Sequence, residues 1–177
     1  MTQKRPQPSD YAGYFEKYVS IVPDGEVVGV LEQGLTDFAN LLRPLNEAQG
    51  DFRYAEGKWT IKEVVGHIND AERIFSYRLL RIARGDKTPL PGFEQDDYIV
   101  SANSKSRKLT DLLDEFSTIR RASISLIRSL DEVALACRGT SSQKEISALA
   151  ILFVLIGHEL HHRTILQRLY LPAIAAK

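Results

Sequence analysis

The 177-residue sequence contains one cysteine, one methionine and one tryptophan. Because Cys137 is the only cysteine, the chain cannot form an internal disulfide, and a structural zinc site built from several cysteines is excluded. Scarcity of cysteine is typical of proteins that stay in a reducing compartment. We therefore expect a cytoplasmic protein, with Cys137 as a small core residue rather than a nucleophile.

Excess charge of either sign is also missing. Lysine plus arginine and aspartate plus glutamate each total 23, so the formal net charge is zero. A protein that binds nucleic acid nonspecifically needs a basic surface. We therefore expect no nucleic-acid partner.

Long apolar segments are missing too. Residues 1–10 are polar, lack the apolar stretch of a signal peptide and are expected to be flexible. The longest apolar run, Ala148–Ile156, has nine residues, which is too short to cross a bilayer. We expect no membrane partner, and a single domain over residues 1–177, a length sufficient for one substantial core.

Alternating strand patterns are scarce, and helical spacing of apolar residues dominates the sequence. A short helix is expected over about Tyr11–Val19, with Ser9 as its N-cap. Four longer amphipathic helices follow. In chain order their expected bounds are Val27–Leu42, Ile61–Ala83, Leu109–Leu130 and Ser147–Tyr170, and Pro172 ends the last one. Counted with the short helix, Ile61–Ala83 is the third predicted helix and Leu109–Leu130 is the fourth. The sequence therefore predicts an all-α protein, a four-helix bundle.

Local signals mark the third predicted helix and the loop that follows it. Thr60 precedes the helix and Glu63 comes three residues later, which is the spacing of a capping box. Gly66 in the helix interior costs roughly 1 kcal/mol relative to alanine, so we expect another helix to approach closely there. The long loop Asp86–Lys108, between the third and fourth predicted helices, is a candidate lid or binding loop. Gly139–Lys144 is expected to be a polar loop.

The four histidines all fall in predicted helices. His158 and His162 are four residues apart, so their rings project from one face of a helix, with Cβ atoms about 6 Å apart. His67 lies on the third predicted helix, at its inner side or margin. Three neutral imidazole nitrogens with an open coordination position are typical of a catalytic metal site. His161 is rotated by about 100° from His162 and is a weaker substitute ligand.

Other interpretations stay open at this point. A lone histidine on a helix is usually a surface or hydrogen-bonded residue, and imidazole suits nickel, iron and copper as well as zinc. His158-Glu159-Leu160-His161-His162 also matches the H-E-x-x-H pattern of zinc peptidases, with Glu159 as general base. Those enzymes usually take a third ligand downstream, and the fifteen residues after His162 include no His, Asp, Glu or Cys. Glu159 then faces solvent or supports a ligand.

The sequence also resembles a known family. The block Trp59–Asp70, read as W-T-x-x-E-x-x-x-H-x-x-D, resembles a motif of the DinB/YfiT-like superfamily. Gly157–Arg163 resembles the closing H-x-x-x-H helix of that superfamily. Pro91–Asp97, with its Pro-Gly-Phe triplet and paired aspartates, is similar to the YfiT-like branch. Thr164–Ile165 departs from the Gly-Gln pair that often follows the arginine, and this departure leaves the histidines intact.

The resemblance implies a four-helix bundle that holds one divalent ion on His67, His158 and His162. It implies nickel or zinc as the metal, with iron or manganese as alternatives, and a homodimer as the assembly. Members of the superfamily include thiol-dependent S-transferases, a maleylpyruvate isomerase and metal-dependent hydrolases.

We therefore expect a metal-dependent enzyme that activates a low-molecular-weight thiol or water to attack a small electrophilic substrate. The alternative is a non-enzymatic metal-binding or stress-response module. Trp59 is expected to pack as a hydrophobic staple, with a place beside the ligand pocket as its other role. Candidates for contacts with the ligands or with substrate are Asp70, Glu159, His161 and Arg81, with Arg73 and Arg78 as further arginines able to hold carboxylates.

Overall fold

The computed structural model describes residues 4–176. In chain order its α-helices are α1 Glu16–Val19, α2 Val27–Leu42, α3 Glu47–Gly50, α4 Ile61–Ala83, α5 Gln95–Ala102, α6 Leu109–Arg128, α7 Glu132–Ala136, α8 Ala148–Ile165 and α9 Leu171–Ala175. β1 Arg138–Ser141 and β2 Lys144–Ser147 form an antiparallel hairpin. The 3-10 turns are Pro8–Asp10, Gly13–Phe15 and Ser104–Ser106, and Leu166–Tyr170 is a π-helical turn.

The four long helices α2, α4, α6 and α8 form a four-helix bundle, which confirms the predicted fold class. α4 packs against α6 and α8, and α2 packs against the same two helices. α2 and α4 therefore lie diagonally across the bundle, although they follow one another along the chain. This order of helices differs from a simple up-and-down bundle, in which consecutive helices are neighbours.

The apolar core consists of two clusters, and their membership gives the direction of each helix. The first halves of α2 and α8 and the second halves of α4 and α6 supply the larger cluster. The smaller cluster takes residues from the opposite ends of the same helices. α2 and α8 therefore run in one direction, and α4 and α6 run in the other.

A layer of polar and small residues crosses the bundle where each helix passes from one cluster to the other. Most of its side chains are buried, including several that carry charge or can gain it. Buried polar groups are costly unless they are paired or bind a ligand, so this layer is where function is expected. Its members are Gly34 on α2, His67 and Glu72 on α4, Arg120 on α6, and His158 and Glu159 on α8.

The start of α4 is held by the predicted capping box. The Thr60 side chain accepts from the Glu63 amide, and the Glu63 carboxylate accepts from the Thr60 amide at 2.7 Å. Ser147 caps α8 in the predicted way by accepting from the Ala150 amide. Because these caps fix where α4 and α8 begin, they also fix the position of the histidines along the bundle.

Several predicted boundaries are wrong at the two ends of the chain. Ser9 lies inside the first 3-10 turn and does not cap a helix, since the first α-helix begins only at Glu16. Pro172 does not end the last helix. The π-helical turn Leu166–Tyr170 precedes it, and Pro172 occupies the first turn of α9, where a missing N–H is tolerated.

The two predicted loops contain regular structure. Within Asp86–Lys108 the chain forms α5, which ends at Asn103 in the left-handed conformation. None of its side chains is buried, so it has no apolar stripe for a sequence pattern to reveal. Gly139–Lys144 belongs to the hairpin, whose turn residues Ser142 and Gln143 adopt positive φ, a conformation usually taken by asparagine or glycine.

Two glycines allow close approaches to the bundle beside the histidines. A Cβ on Gly66 would lie 2.2 Å from Ser104 Oγ, so the close approach predicted there exists, but it comes from a 3-10 turn rather than from a bundle helix. A Cβ on Gly157 would lie 2.0 Å from the Tyr18 carbonyl oxygen. The absence of a side chain at Gly157 therefore lets α1 pack directly on α8, next to His158.

The continuous helical stretch Ala148–Ala175 is long and apolar enough, by length and composition alone, to cross a membrane. A helix buried in a protein core passes the same test, and 61% of the apolar window is buried inside the bundle. We interpret the stretch as the central helix of the fold. The absence of a membrane partner, the cytoplasmic location and the single domain stay predictions.

The flexibility predicted for residues 1–10 also stays a prediction, and residues 1–3 lie outside the described part of the chain. Within the described part, Arg5 donates to the carbonyl oxygens of Val19 and Val22, each at 2.6 Å. Asp10 pairs with Arg138 of the hairpin at 2.6 Å. These contacts hold the first 3-10 turn against α1 and β1.

Candidate metal centre

His67, His158 and His162 come together in the polar layer. One ring nitrogen from each lies within 4.8 Å of the others. The Nε2 atoms of His67 and His158 are 3.0 Å apart. α4 supplies one ring and α8 supplies two, because residues four apart lie on the same helix face.

The donor set fits a divalent metal ion. Imidazole nitrogens bind zinc at about 2.0–2.1 Å, so two ligands of one ion can lie no more than about 4 Å apart. The Nε2 atoms of His67 and His158, 3.0 Å apart, satisfy this limit. The full set of three nitrogens spreads over up to 4.8 Å, so a small rotation of a ring would bring all three within it. Without an ion, at most one of two facing neutral nitrogens can donate a proton to the other. That His67, His158 and His162 bind a metal stays a prediction at this stage.

Burial keeps these imidazoles neutral, which is the protonation state that a metal requires. Desolvation lowers the pKa of His67 from 6.5 to about 4. Desolvation, together with repulsion from His67 and His161, lowers the pKa of His162 to about 3. The pKa of His158 is also well below its ordinary value, again chiefly because of burial. All three rings therefore have free lone pairs at neutral pH.

Aromatic side chains surround the three rings. The Trp59 ring centroid is 4.8 Å from that of His67, so the tryptophan is beside the site as well as packed on the smaller core cluster. The rings of Tyr18 and Phe75 each make an edge contact with His158 at 5.4 Å. This shell restricts water and lowers the local dielectric constant, which strengthens electrostatic interactions inside it.

A cavity of about 290 Å³ opens onto the centre, and His67 and His158 are part of its wall. The segment around Phe93 forms another part of the wall, as expected for the long loop, although this segment includes the start of α5. The wall also includes Tyr14, Phe15, Lys17 and Tyr18 from the N-terminal turns and α1. No sequence pattern in this N-terminal region indicated a role in the site.

Glu159 faces away from the histidine cluster, which argues against the peptidase interpretation. Its carboxylate lies 3.8 Å from Arg120 Nη1 and 3.3 Å from Arg163 Nε, and a Cβ on Gly34 would lie 3.0 Å from it. Glu159 is buried, so the expectation that it faces solvent is wrong. Because its carboxylate is engaged on the α2 and α6 side of α8, it is not positioned as a general base for chemistry at His158 and His162.

The remaining candidates lie outside the cluster. Asp70 is half-buried and lies 3.6 Å from Arg73 in an ion pair, with no hydrogen bond to a histidine among residues 4–176. The His161 ring makes edge contacts with Tyr18 at 5.4 Å and with His162 at 5.2 Å, and it is not a member of the three-nitrogen group. Arg81 pairs with Asp86 and with the Tyr77 hydroxyl and does not line the cavity, whereas Arg78 does.

A buried ion pair behind the metal centre was not predicted. Arg120 is 1% exposed and donates from Nε and Nη2 to the two oxygens of Glu72, each at 2.8 Å. Both residues interrupt otherwise apolar helix faces, and this is the signal in the sequence that indicates them. The pair, with Glu159 beside it, joins α4, α6 and α8 at the level of the histidines.

Comparison with known proteins identifies relatives. The sequence profile of the DinB superfamily matches residues 31–166. The chain is 29% identical over 131 residues to a protein of Oceanobacillus iheyensis provisionally named a metal-dependent hydrolase, and the match covers 67% of this chain and 68% of that protein.

Solved structures share the fold. YfiT from Bacillus subtilis, described as a probable metal-dependent hydrolase with an unusual four-helix bundle topology, superposes with a TM-score of 0.75 at 18% identity, covering 94% of this chain and 91% of that one. A mycothiol-dependent maleylpyruvate isomerase gives a TM-score of 0.63 at 15% identity, covering 77% of this chain and 58% of that one. At these identities the likeness concerns the fold alone.

Proposed function

The chain belongs to the DinB superfamily, and on that premise we propose that it is a metal-dependent enzyme acting on a small electrophilic molecule. The observation that carries the proposal is the convergence of three neutral, largely buried imidazoles, two of which are in the wall of a cavity. Relatives are named or described as metal-dependent hydrolases, and a structural neighbour is a thiol-dependent isomerase. We propose hydrolysis or thiol transfer as the reaction class.

His67, His158 and His162 would hold the ion, with nickel or zinc as the proposed metal and iron or manganese as alternatives. A divalent ion bound there supplies Lewis acidity, which lowers the pKa of a coordinated water or thiol and makes it nucleophilic at neutral pH. With three protein ligands, one coordination position stays available for that molecule.

The side chains of the protein prepare the site for this chemistry. Tyr18 and Phe75 pack against the edges of the His158 ring and hold its orientation. Phe15 and Phe75 give the cavity an apolar wall, which excludes bulk water from the reacting groups. The cavity volume of about 290 Å³ suits a small molecule, and the exposed residues Glu94 and Gln95 are part of its wall.

The proposal is tested on untagged protein that is stripped with a chelator and reloaded with zinc, nickel, manganese or iron(II). A panel of esters and amides, and of electrophiles with added thiols, measures turnover. We expect turnover that requires the metal and is lost in His67→Ala, while Arg128→Met, on an exposed part of α6, retains it.

Turnover that is unchanged in His67→Ala would overturn the assignment of the site. If no metal supports turnover across the whole panel, the non-enzymatic metal-binding module replaces the enzyme as the better account. The thiol cosubstrate, the homodimer and the lack of a nucleic-acid partner stay predictions.

A further inference from the structure

Arg78 lines the same cavity as His67 and His158. It projects from α4, three turns after His67, and its side chain is buried. The cavity therefore has metal ligands at one place on its wall and a guanidinium group at another. A ligand that fills the cavity can contact both.

The guanidinium of Arg78 lacks a countercharge. Its Nη2 donates to the carbonyl oxygen of Pro91 at 2.7 Å and, weakly, to Ser142 Oγ at 3.4 Å. Among residues 4–176 no carboxylate forms an ion pair with it, and its Nε and Nη1 groups donate to no protein atom. Arg120, by contrast, is buried against both oxygens of Glu72.

Burying an unpaired cation is expensive, so an arginine in this position calls for an anionic partner. Glu94 and Asp96 also line the cavity, but both residues are exposed to solvent and neither forms an ion pair with Arg78. The Phe93 ring lies over the guanidinium at 5.7 Å, which restricts its plane without neutralising its charge. The Nε and Nη1 groups of Arg78 are not among the buried polar atoms that lack a partner, so they remain accessible from the cavity. An anion that pairs with Arg78 therefore comes from outside the described chain.

We infer that the cavity binds a small molecule carrying a carboxylate, and that Arg78 holds this carboxylate while another part of the molecule lies at the histidine cluster. The inference rests on the proposed function, because it names the substrate class of the proposed enzyme. Arg78 is then the residue that selects anionic over neutral substrates. A charge-assisted hydrogen bond in a desolvated site is strong enough for such selection.

The test compares binding of two probes of the same shape, 3-phenylpropionate and the neutral 3-phenylpropanamide, by calorimetry in a buffer free of carboxylates. Both the metal-free and the metal-loaded protein are measured, because a carboxylate can also bind a metal directly. We expect the carboxylate to bind at least about 10-fold more tightly than the amide in both forms, as a hydrogen bond to a charged group predicts.

Three variants assign this preference to Arg78. Arg78→Met is expected to reduce it to within about 2-fold, Arg78→Lys to keep part of it as a point charge, and Arg128→Met to leave it intact. Arg78→Lys is the control for damage to the fold, because it changes the hydrogen bond to the Pro91 carbonyl oxygen but keeps the positive charge. Thermal unfolding of each variant shows whether the fold survives.

Equal binding of the two probes by the wild-type protein overturns the inference, whatever the variants do. A preference that persists in Arg78→Met also overturns it and leaves Arg78 as a structural anchor for Pro91 and Ser142. A preference seen only with metal present assigns the carboxylate to the metal instead of Arg78. Because the metal-free arm needs neither turnover nor an ion, its failure is distinct from failure of the proposed function.

Discussion

Replacement of Arg120 by methionine tests whether the buried charges behind the histidines act as one unit. Methionine is unbranched and flexible like the aliphatic part of arginine, so it keeps the packing of that part while it removes the guanidinium group and its charge. Arg120 is 1% exposed and forms two 2.8 Å bonds to Glu72. The variant leaves Glu72 buried without its cation. It also leaves Arg163 as the one cation paired with Glu159 among residues 4–176.

The expected cost in unfolding free energy is about 3–5 kcal/mol, the range for removing one partner of a buried pair. A domain with a total stability of about 5–15 kcal/mol loses a large part of it. The double variant Arg120→Met with Glu72→Leu is expected to be more stable than the single variant, since no carboxylate at position 72 remains unpaired. Arg128→Met, which breaks an exposed pair with Glu32, is expected to cost less than about 1 kcal/mol.

The deficit of Arg120→Met should depend on pH with a defined sign. Burial raises the pKa of Glu159, and Arg120 opposes this rise. Without Arg120 the pKa of Glu159 in the folded state rises further above its value in the unfolded state. At pH values between the two pKa values, the folded protein binds a proton on Glu159 that the unfolded chain does not bind, so the stability falls as the pH rises through this range. The free-energy deficit should therefore be larger at pH 8 than at pH 5.5.

Urea unfolding at pH 5.5 and at pH 8 measures these differences for the wild type, Arg120→Met, Arg128→Met and the double variant. A cost for Arg120→Met below about 1 kcal/mol would refute the reasoning, because an unpaired buried carboxylate cannot be that cheap. So would a double variant no more stable than Arg120→Met alone.

Two further predictions concern packing and acid stability. Gly157→Ala should lower the unfolding free energy measured in urea by about 3 kcal/mol, because its Cβ would overlap the Tyr18 backbone. The control Gly13→Ala should cost little, because the space around Gly13 is open. Equal costs for the two variants would contradict the close packing at Gly157. Burial lowers the folded-state pKa of His67 to about 4, below the unfolded value of 6.5, so the unfolded chain binds more protons between these values. For protein stripped of metal with a chelator, the contribution of His67 to the unfolding free energy should be constant above pH 6.5 and should fall by about 3 kcal/mol towards pH 4. Urea titrations across this pH range measure the change, and a flat profile would show that the His67 ring is not buried as described.

Local patterns predicted the long helices because each follows one rule throughout its length. The bounds of α2 agree with the apolar spacing, and Thr60 and Ser147 start α4 and α8 as expected. The hairpin escaped prediction since Ser142 and Gln143 adopt a turn conformation that their residue types rarely take. The continuation through Pro172 depends on a π-helical turn that no sequence spacing indicates.

The histidine set was predictable because two of its members are four residues apart on one helix. The rest of the site depends on contacts between elements distant in the sequence. Tyr18 reaches His158 only because Gly157 lets α1 approach α8. The choice of Arg78 over Arg81 as the arginine of the cavity depends on where α4 meets the segment after Leu90.

The most direct test is a metal titration of untagged protein that has been stripped of metal with a chelator. Calorimetry and the fluorescence of Trp59 monitor the titration, since Trp59 is the only tryptophan and its ring lies 4.8 Å from that of His67. We predict one zinc or nickel ion per chain in wild type and in His161→Gln, with a change in Trp59 fluorescence that saturates at that ratio. His67→Ala should bind at least about 100-fold more weakly, since losing a ligand costs more than losing a residue that supports one. One ion bound with undiminished affinity in His67→Ala, or no binding by the wild-type protein, would contradict the convergence of the three imidazoles on a single metal.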